Sequence, residues 1–117
     1  MWTETMKMVP SDSEAYANFG ISVSLNAAGD VALVGAWGDN AASIADAGAA
    51  YMFHNSGSWT QTGKLCAVDA EASSYFGYSV AIDSAGRVGI VGAYADDAAG
   101  GSDSGAVYTF KLPAYSS

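Results

Sequence analysis

FGISVSLNAAGDVALVGA at residues 19–36 and FGYSVAIDSAGRVGIVGA at residues 76–93 are two versions of one pattern, 57 residues apart. At this spacing, 25 of the 52 positions from Trp2 to Phe53 are identical to their partners, and no gap is needed. Similarity at a fixed spacing is typical of repeat proteins, in which each repeat is one supersecondary unit. The chain is therefore built from two repeats of a single unit.

Each repeat predicts the same succession of short strands. The first strand alternates between apolar and polar residues and ends in a glycine turn, and the second is almost continuously apolar, as in a buried strand. A loop rich in Ala, Gly, Asp and Ser precedes the third strand, and a segment that starts at a tryptophan forms the fourth. The predicted strands are 2–9, 19–25, 31–36, 48–54, 59–67, 76–82, 88–93 and 105–111. Four short strands per unit, joined by turns, predict a four-stranded antiparallel propeller blade.

The alanine-rich segment 41–50 is the one place where a helix competes with this interpretation. Gly48 interrupts the segment, and its repeat partner 98–107 is rich in Gly and Ser, which disfavour a helix. We therefore predict a loop at both places and an all-β fold.

The composition excludes several classes of function. A net charge of −8, with 4 basic and 12 acidic residues, disfavours binding to nucleic acid or to an anionic membrane surface. The chain has no apolar run of the roughly 20 residues that a membrane helix needs, and its N-terminus does not resemble a signal peptide. The single cysteine, Cys66, excludes an intrachain disulfide, and His54 has no second histidine with which to bind a metal. We expect Cys66 to pack as a small core residue and His54 to be solvated at a strand end.

The repeated pattern resembles the FG-GAP repeat, the blade unit of integrin-α-type β-propellers, and especially its bacterial branch. In repeat 2 the matching residues are Trp59, Leu65, Asp69, Phe76-Gly77, Ser79-Val80, Gly86, Val91-Gly92-Ala93, Asp96, Gly105, Tyr108 and Phe110. In repeat 1 they are Trp2, Asp12, Phe19-Gly20, Ser22-Val23, Gly29, Val34-Gly35-Ala36, Asp39, Gly48, Tyr51 and Phe53. The resemblance implies two propeller blades, a binding or adhesion role, and a location outside the cell or on its surface.

The order of the strands predicts an assembly. With blade strands labelled a to d from the propeller axis outwards, residues 1–58 hold strand d of a neighbouring blade and strands a to c of blade 1. Residues 59–117 hold strand d of blade 1 and strands a to c of blade 2. The strands at 2–9 and 105–111 then lack a neighbour, and open sheet edges are usually paired or covered. We expect a cyclic homo-oligomer, a trimer or a tetramer, in which the two strands pair between copies. The alternative is a fragment of a longer multi-repeat protein.

Aromatic residues of the motif are the predicted assembly residues, because they are large enough to fill the gap between blades or to cover a blade edge. They are Trp2, Phe19, Phe76, Tyr108 and Phe110.

Most acidic residues fall in the segments that a blade presents on one face. Three interpretations stay open: solubility with local turn hydrogen bonds, a divalent-cation site, and a recognition surface for a protein or glycan. The candidate calcium ligands are Asp39, Asn40, Asp46, Asp96, Asp97 and Asp103. They lie outside the turn between the first two strands, where integrin-type blades often bind calcium; here that turn has too few carboxylates. Trp37 and Tyr94 are the candidate stacking platforms for a ligand; the alternative is that they pack between the blades.

Catalysis is not expected from these residues. Paired carboxylates can hydrolyse glycosides, but here repetition explains the acid pairs. The serines of the repeat, Ser22 and Ser79, have no predicted base beside them. We expect a non-catalytic binding or adhesion module; the alternatives are a purely structural self-assembling unit and, less favoured, a hydrolase.

Overall fold

The computed structural model describes residues 2–12, 17–40, 46–67, 73–94 and 105–113, and in these residues it is an all-β structure without helices. The strands are β1 (Ser22–Leu25), β2 (Val31–Ala36), β3 (Ala49–Asn55), β4 (Trp59–Leu65), β5 (Ser79–Ile82), β6 (Val88–Ala93) and β7 (Ala106–Lys111). They form two antiparallel sheets, β1-β2-β3-β4 and β5-β6-β7, which we call blade 1 and blade 2. No helix able to cross a membrane occurs in the described part of the chain. The predicted all-β fold is confirmed.

Blade 1 has four strands, whereas the described part of blade 2 has three. The strand predicted at 2–9 is not seen within one copy, where residues 2–10 pair with no strand in the described part of the chain. Trp2 at its start is 93% exposed and covers no blade edge. The outer edge of β7 is accordingly unpaired in the described residues.

The Phe-Gly pair lies in a turn before the first strand of each blade, so the strands predicted at 19–25 and 76–82 begin three residues too early. In blade 2 the turn is closed by the amide of Tyr78, which donates to the carbonyl of Tyr75 at 3.1 Å. Gly77 has φ +98°, which suits the third position of a type II turn and strains any residue with a side chain. The alternating pattern could not show this turn, because its apolar Phe continues the strand period.

The main core lies between the two blades. Phe76 is fully buried there, and the edge of its ring contacts Tyr108 at 5.3 Å and Phe110 at 5.8 Å between ring centroids. The other buried members of this cluster are Val31, Leu33, Ala50, Met52, Ala67, Val91, Ala93 and Leu112. A second cluster covers the opposite face of blade 1, where Phe19 packs with Met8, Trp59 and Cys66 on β2 and β3.

The two repeats differ in how their second strands are covered. All six residues of β2 are buried because a hydrophobic cluster covers each side of this strand. In β6, Val88 and Ile90 are exposed because one face of blade 2 has no neighbour in the described residues. The prediction of a buried strand at 88–93 was therefore wrong for one of its two faces.

His54 is buried, contrary to the expectation that it would be solvated. It lies near the end of β3 and is only 6% exposed, with Nδ1 at 3.0 Å from the hydroxyl of Thr62. Burial lowers the pKa of His54, and the nearby Asp30 carboxylate opposes this only in part. Its position at a strand end did not show that the turn at residues 85–87, before β6, lies beside this end of β3.

At one place beside this core, the backbones of the two blades come into direct contact. A Cβ added to Gly35 would lie less than 3.0 Å from the carbonyl oxygen of Gly77, and one added to Gly48 would be as close to that of Phe76. The hydroxyl of Ser22 donates to the same Gly77 carbonyl at 3.0 Å. The Phe76-Gly77 turn thus lies in a notch of blade 1 that only glycine can provide.

Replacement of Gly35 by alanine is expected to destabilise the chain by about 1–3 kcal/mol or more, because the new methyl group must push two backbones apart. Gly63→Ala is the matched control: its Cβ would meet only Met52, at 3.9 Å. Chemical denaturation followed by tryptophan fluorescence measures both variants. Equal stabilities of the two variants would contradict the close approach of the blades.

Candidate functional site

A cluster of charged residues lies at the loop end of blade 1. The hydroxyl of Tyr51 lies 2.7 Å from Oδ2 of Asp39 and 2.8 Å from Oδ1 of Asp12, and it shares its one proton between them. Lys64 on β4 donates to Oδ2 of Asp12 and forms an ion pair with Oδ1 of Asp39 at 3.1 Å. We call these four residues the Asp–Tyr–Lys cluster. It joins the segment before β1, the loop before β3, and strands β3 and β4.

Lys64 supplies the counter-charge for a buried carboxylate of this cluster. Asp39 is 1% exposed, and its Oδ1 has no well-directed hydrogen bond in the described structure, so the ammonium of Lys64 is its compensation. Burial by itself would lower the pKa of Lys64, but the hydrogen bond to Asp12 and the close carboxylate of Asp39 outweigh this effect and raise the pKa. The pKa of Tyr51 is raised by burial and by the two carboxylates.

The predicted ligand-stacking residues belong to an aromatic cluster at the seam between the blades. Trp37 packs edge-on against Tyr75, with ring centroids 4.8 Å apart. Tyr94 stacks on Tyr75 at 5.4 Å and meets Tyr78 edge-on at 4.8 Å. Trp37 is half-buried, whereas Tyr78 and Tyr94 are exposed. The structure thus brings Trp37 and Tyr94 together through Tyr75, and Trp37 serves inter-blade packing.

The candidate calcium ligands of repeat 1 do not converge on one point. The carboxylate of Asp39 is directed to Tyr51 and Lys64, while the side-chain oxygen of Asn40 accepts the amide of Asp46 at 2.9 Å. No group of three or more His, Cys, Asp or Glu side chains suited to a metal ion occurs in the described residues. Asp96, Asp97 and Asp103 lie outside them. Calcium binding stays a prediction.

Other acidic residues close turns, as the first of the three interpretations expects. Oδ1 of Asp83 accepts the amides of Arg87 at 2.8 Å and Val88 at 3.0 Å, and these hydrogen bonds lower the pKa of Asp83. In blade 1 the side chain of Asn26 holds the equivalent turn, with its Oδ1 at 3.0 Å from the amide of Val31.

Blade 2 has a notch that corresponds to the occupied notch of blade 1. Gly92, Ala93, Gly105 and Ala106 line it, and they are the repeat partners of Gly35, Ala36, Gly48 and Ala49. The volume of this notch is about 530 Å³, and Tyr78 and Tyr94 stand at its sides. Whereas the turn at Phe76-Gly77 fills the notch of blade 1, no segment of the described chain fills that of blade 2.

Both outward sheet faces carry exposed apolar side chains. On blade 1 these are Ile21, Val23 and Leu25, at and next to β1. On blade 2 they are Val88, Ile90 and Val107, on β6 and β7. We call these groups the open face of blade 1 and the open face of blade 2.

The predicted assembly residues occupy different environments. Phe76 lies between the blades with Tyr108 and Phe110, while Phe19 packs edge-on against Tyr51 and Phe53 of its own blade. Lys64 and the open faces were not predicted from the sequence. One signal was present: Lys64 and Lys7 are identical repeat partners among only four basic residues.

Loss of Lys64 is expected to destabilise the chain, because it leaves the buried Asp39 carboxylate without a counter-charge. We predict that Lys64→Met lowers the free energy of unfolding by about 2–3 kcal/mol, less than for a fully buried pair because Lys64 is partly exposed. Arg87→Met removes the same charge from an exposed turn and should change the stability by less than about 0.5 kcal/mol. Urea denaturation of both variants distinguishes them, and a harmless Lys64→Met would contradict this role.

Low pH should remove the contribution of the Asp12 carboxylate to the stability of the fold. Hydrogen bonds from Lys64 and Tyr51 hold the pKa of Asp12 below its ordinary value of 3.8. A carboxyl with a lowered pKa stabilises the fold fully above 3.8 and loses this effect as the pH falls through its folded-state pKa. We therefore expect Asp12→Asn to be less stable than the natural chain above pH 3.8, with the difference shrinking below it. A pH-independent difference in urea denaturation would show that the charge of Asp12 is not involved.

Comparison with known families agrees with this structure. The chain matches the family of the FG-GAP repeat twice, at residues 2–53 and 59–110. No curated protein matches it significantly. FG-GAP repeat domains are generally non-catalytic propeller-type modules. With both matches covering one blade unit each, the chain belongs to the FG-GAP repeat family.

Proposed function

We propose that the chain is a non-catalytic propeller module that associates with further copies of itself. Copies add head to tail, so that blade 1 of one copy packs on the open face of blade 2 of another. The principal support is that this chain already contains one such contact, between its own two blades. The two surfaces that would form a second contact, the open face of blade 1 and the open face of blade 2, are both exposed.

Residues related by the repeat support this proposal because they are buried in one blade and exposed in the other. Leu33 is 0% exposed, while its partner Ile90 is 40% exposed; Ala50 is 0% exposed, while its partner Val107 is 69% exposed. On the other side, Val80 and Ile82 pack in the inter-blade core, while their partners Val23 and Leu25 are exposed. Blade 1 of a second copy would bury Ile90 and Val107 in the same way as blade 2 buries Leu33 and Ala50 within one copy.

The equivalence of the two notches indicates which segment of another copy would enter the notch of blade 2. Gly77 lies in the notch of blade 1, so its partner Gly20, with Phe19, is the turn expected in the notch of blade 2 of another copy. Ser22 donates to the carbonyl of Gly77, and its partner Ser79 borders the unfilled notch. Ser79 is therefore placed to donate to the carbonyl of Gly20 of the second copy.

Head-to-tail contacts of this kind close into a ring when the rotation per copy fits. Because each copy brings two blades, rings of six or eight blades from three or four copies lie within the usual size range of propellers. Such a ring would gather the acidic loop ends of all copies on one face and produce a strongly negative surface. By its family, we place this ring outside the cell or at its surface.

Recognition of a protein or glycan at the loop end is a second candidate function. It is favoured by the exposed rings of Tyr78 and Tyr94 beside the acidic loops. Self-association has the stronger support, because Trp37, the repeat partner of Tyr94, already packs on the neighbouring blade.

The mass of the chain in solution tests self-association. We expect sedimentation equilibrium to give three or four times the chain mass of 11.9 kDa. Gly92→Ala should reduce association at least about tenfold, since its methyl group would occupy the place of the incoming Gly20 carbonyl. Within one copy this methyl group comes too close only to the Ser79 hydroxyl, at 2.5 Å, which can rotate away, so the variant should still fold.

A second pair of variants separates docking from folding. Val107→Lys places a charge on the open face of blade 2 and should also prevent association, whereas Ser58→Lys adds the same charge in an exposed turn and should not. A natural chain that stays at 11.9 kDa over the whole concentration range would overturn the proposal.

A further inference from the structure

Strand β4 contributes the one basic residue of the Asp–Tyr–Lys cluster. In the β3–β4 pairing, Lys64 lies directly opposite Tyr51, and its Nζ is 5.4 Å from the centre of the Tyr51 ring. The same ammonium reaches both carboxylates of the cluster. The outer strand of blade 1 is thus joined to the blade by charge as well as by backbone hydrogen bonds.

Because the two repeats are equivalent, the same register is expected at β7, the edge strand of blade 2 that is unpaired in the described residues. Tyr108 on β7 is the partner of Tyr51, and Lys7 is the partner of Lys64. If residues 3–8 pair with β7 of another copy as β4 pairs with β3, Lys7 lies directly opposite Tyr108. Lys7 is exposed and belongs to the segment that pairs with none of the described strands of its own chain.

We infer that Lys7 is the residue that fixes strand exchange between copies: its ammonium lies over the Tyr108 ring of a second copy, as Lys64 lies over Tyr51. This inference rests on the proposed function, and it adds a partner residue and a register to it. A cation over an aromatic ring is attracted by the ring's negative face, and the attraction grows as water is excluded. Lys7 also brings a positive charge to a chain whose net charge is −8.

The position of Lys7 in the sequence selects one register for the exchanged strand. A shift of the exchanged strand by one residue turns every side chain to the other sheet face. A shift by two residues places Thr5 or Val9 opposite Tyr108, and neither carries a charge. Among the residues of the exchanged segment, Lys7 is the only basic one, so a single register places a cation on Tyr108.

Three variants of the whole chain test the inference by sedimentation equilibrium. Lys7→Gln should weaken association at least about tenfold, and Lys7→Arg should keep it within a few-fold of the natural chain, because arginine retains the charge and the ring contact. Glu4→Gln is the matched control in the same segment. It introduces the residue that β4 already has at this register position, Gln61, and should not weaken association.

The outcomes separate this inference from the proposed function. Association of Lys7→Gln as tight as that of the natural chain would overturn the role of Lys7 and leave docking of the blade faces intact. Equal weakening by Lys7→Gln and Lys7→Arg would also overturn it, because a charge-specific contact must be rescued by arginine. A natural chain that remains monomeric would overturn both.

Discussion

The fold depends on a backbone contact between the repeats, in which the Phe76-Gly77 turn lies against Gly35 and Gly48 with no room for a side chain. This contact sets the spacing of the two sheets, and it places the ring of Phe76 in the core between them. The hydroxyl of Ser22 adds a hydrogen bond to the same turn. One close approach of the two backbones therefore explains three features: the glycines on both sides of the contact, the small residues beside them and the buried phenylalanine.

The structure is asymmetric although its sequence is repeated. Blade 1 has four strands, a second strand that is buried on both sides, an occupied notch and a lysine over its tyrosine. Blade 2 has three described strands, one uncovered face and an unfilled notch. Each feature that blade 2 lacks is present elsewhere on the same chain, in the Phe19-Gly20 turn, the exposed residues of β1 and the segment around Lys7. The sheet edge, the sheet face and the charge thus support the same proposal, in which a second copy is the neighbour of blade 2.

The repeat made much of this fold predictable. Identity at a fixed spacing, alternating apolar residues and turn glycines were sufficient for the all-β class, for the order of the strands and for their division into two units. The apolar pattern could not show which faces are covered, because Val31 and Val88 are identical in sequence and differ only in what lies next to them. For the same reason it misjudged His54, which another part of the fold covers.

The candidate site was less predictable than the fold. Asp39 was expected among calcium ligands, but its carboxylate turns inward to Tyr51 and Lys64. Lys64 lies 25 positions along the chain from Asp39, and pairing of β3 with β4 brings them together. Such a cluster depends on strand register, which composition and local pattern do not specify.

The most direct test of head-to-tail blade addition is an isotope-filtered NMR experiment on a mixture of labelled and unlabelled chains. Phe76 shares its cluster with Leu33 and Ala50, so the account predicts cross-copy contacts from the Phe19 ring to the methyl groups of Ile90 and Val107. An associated sample in which these contacts are absent, or in which copies touch through other surfaces, would contradict it.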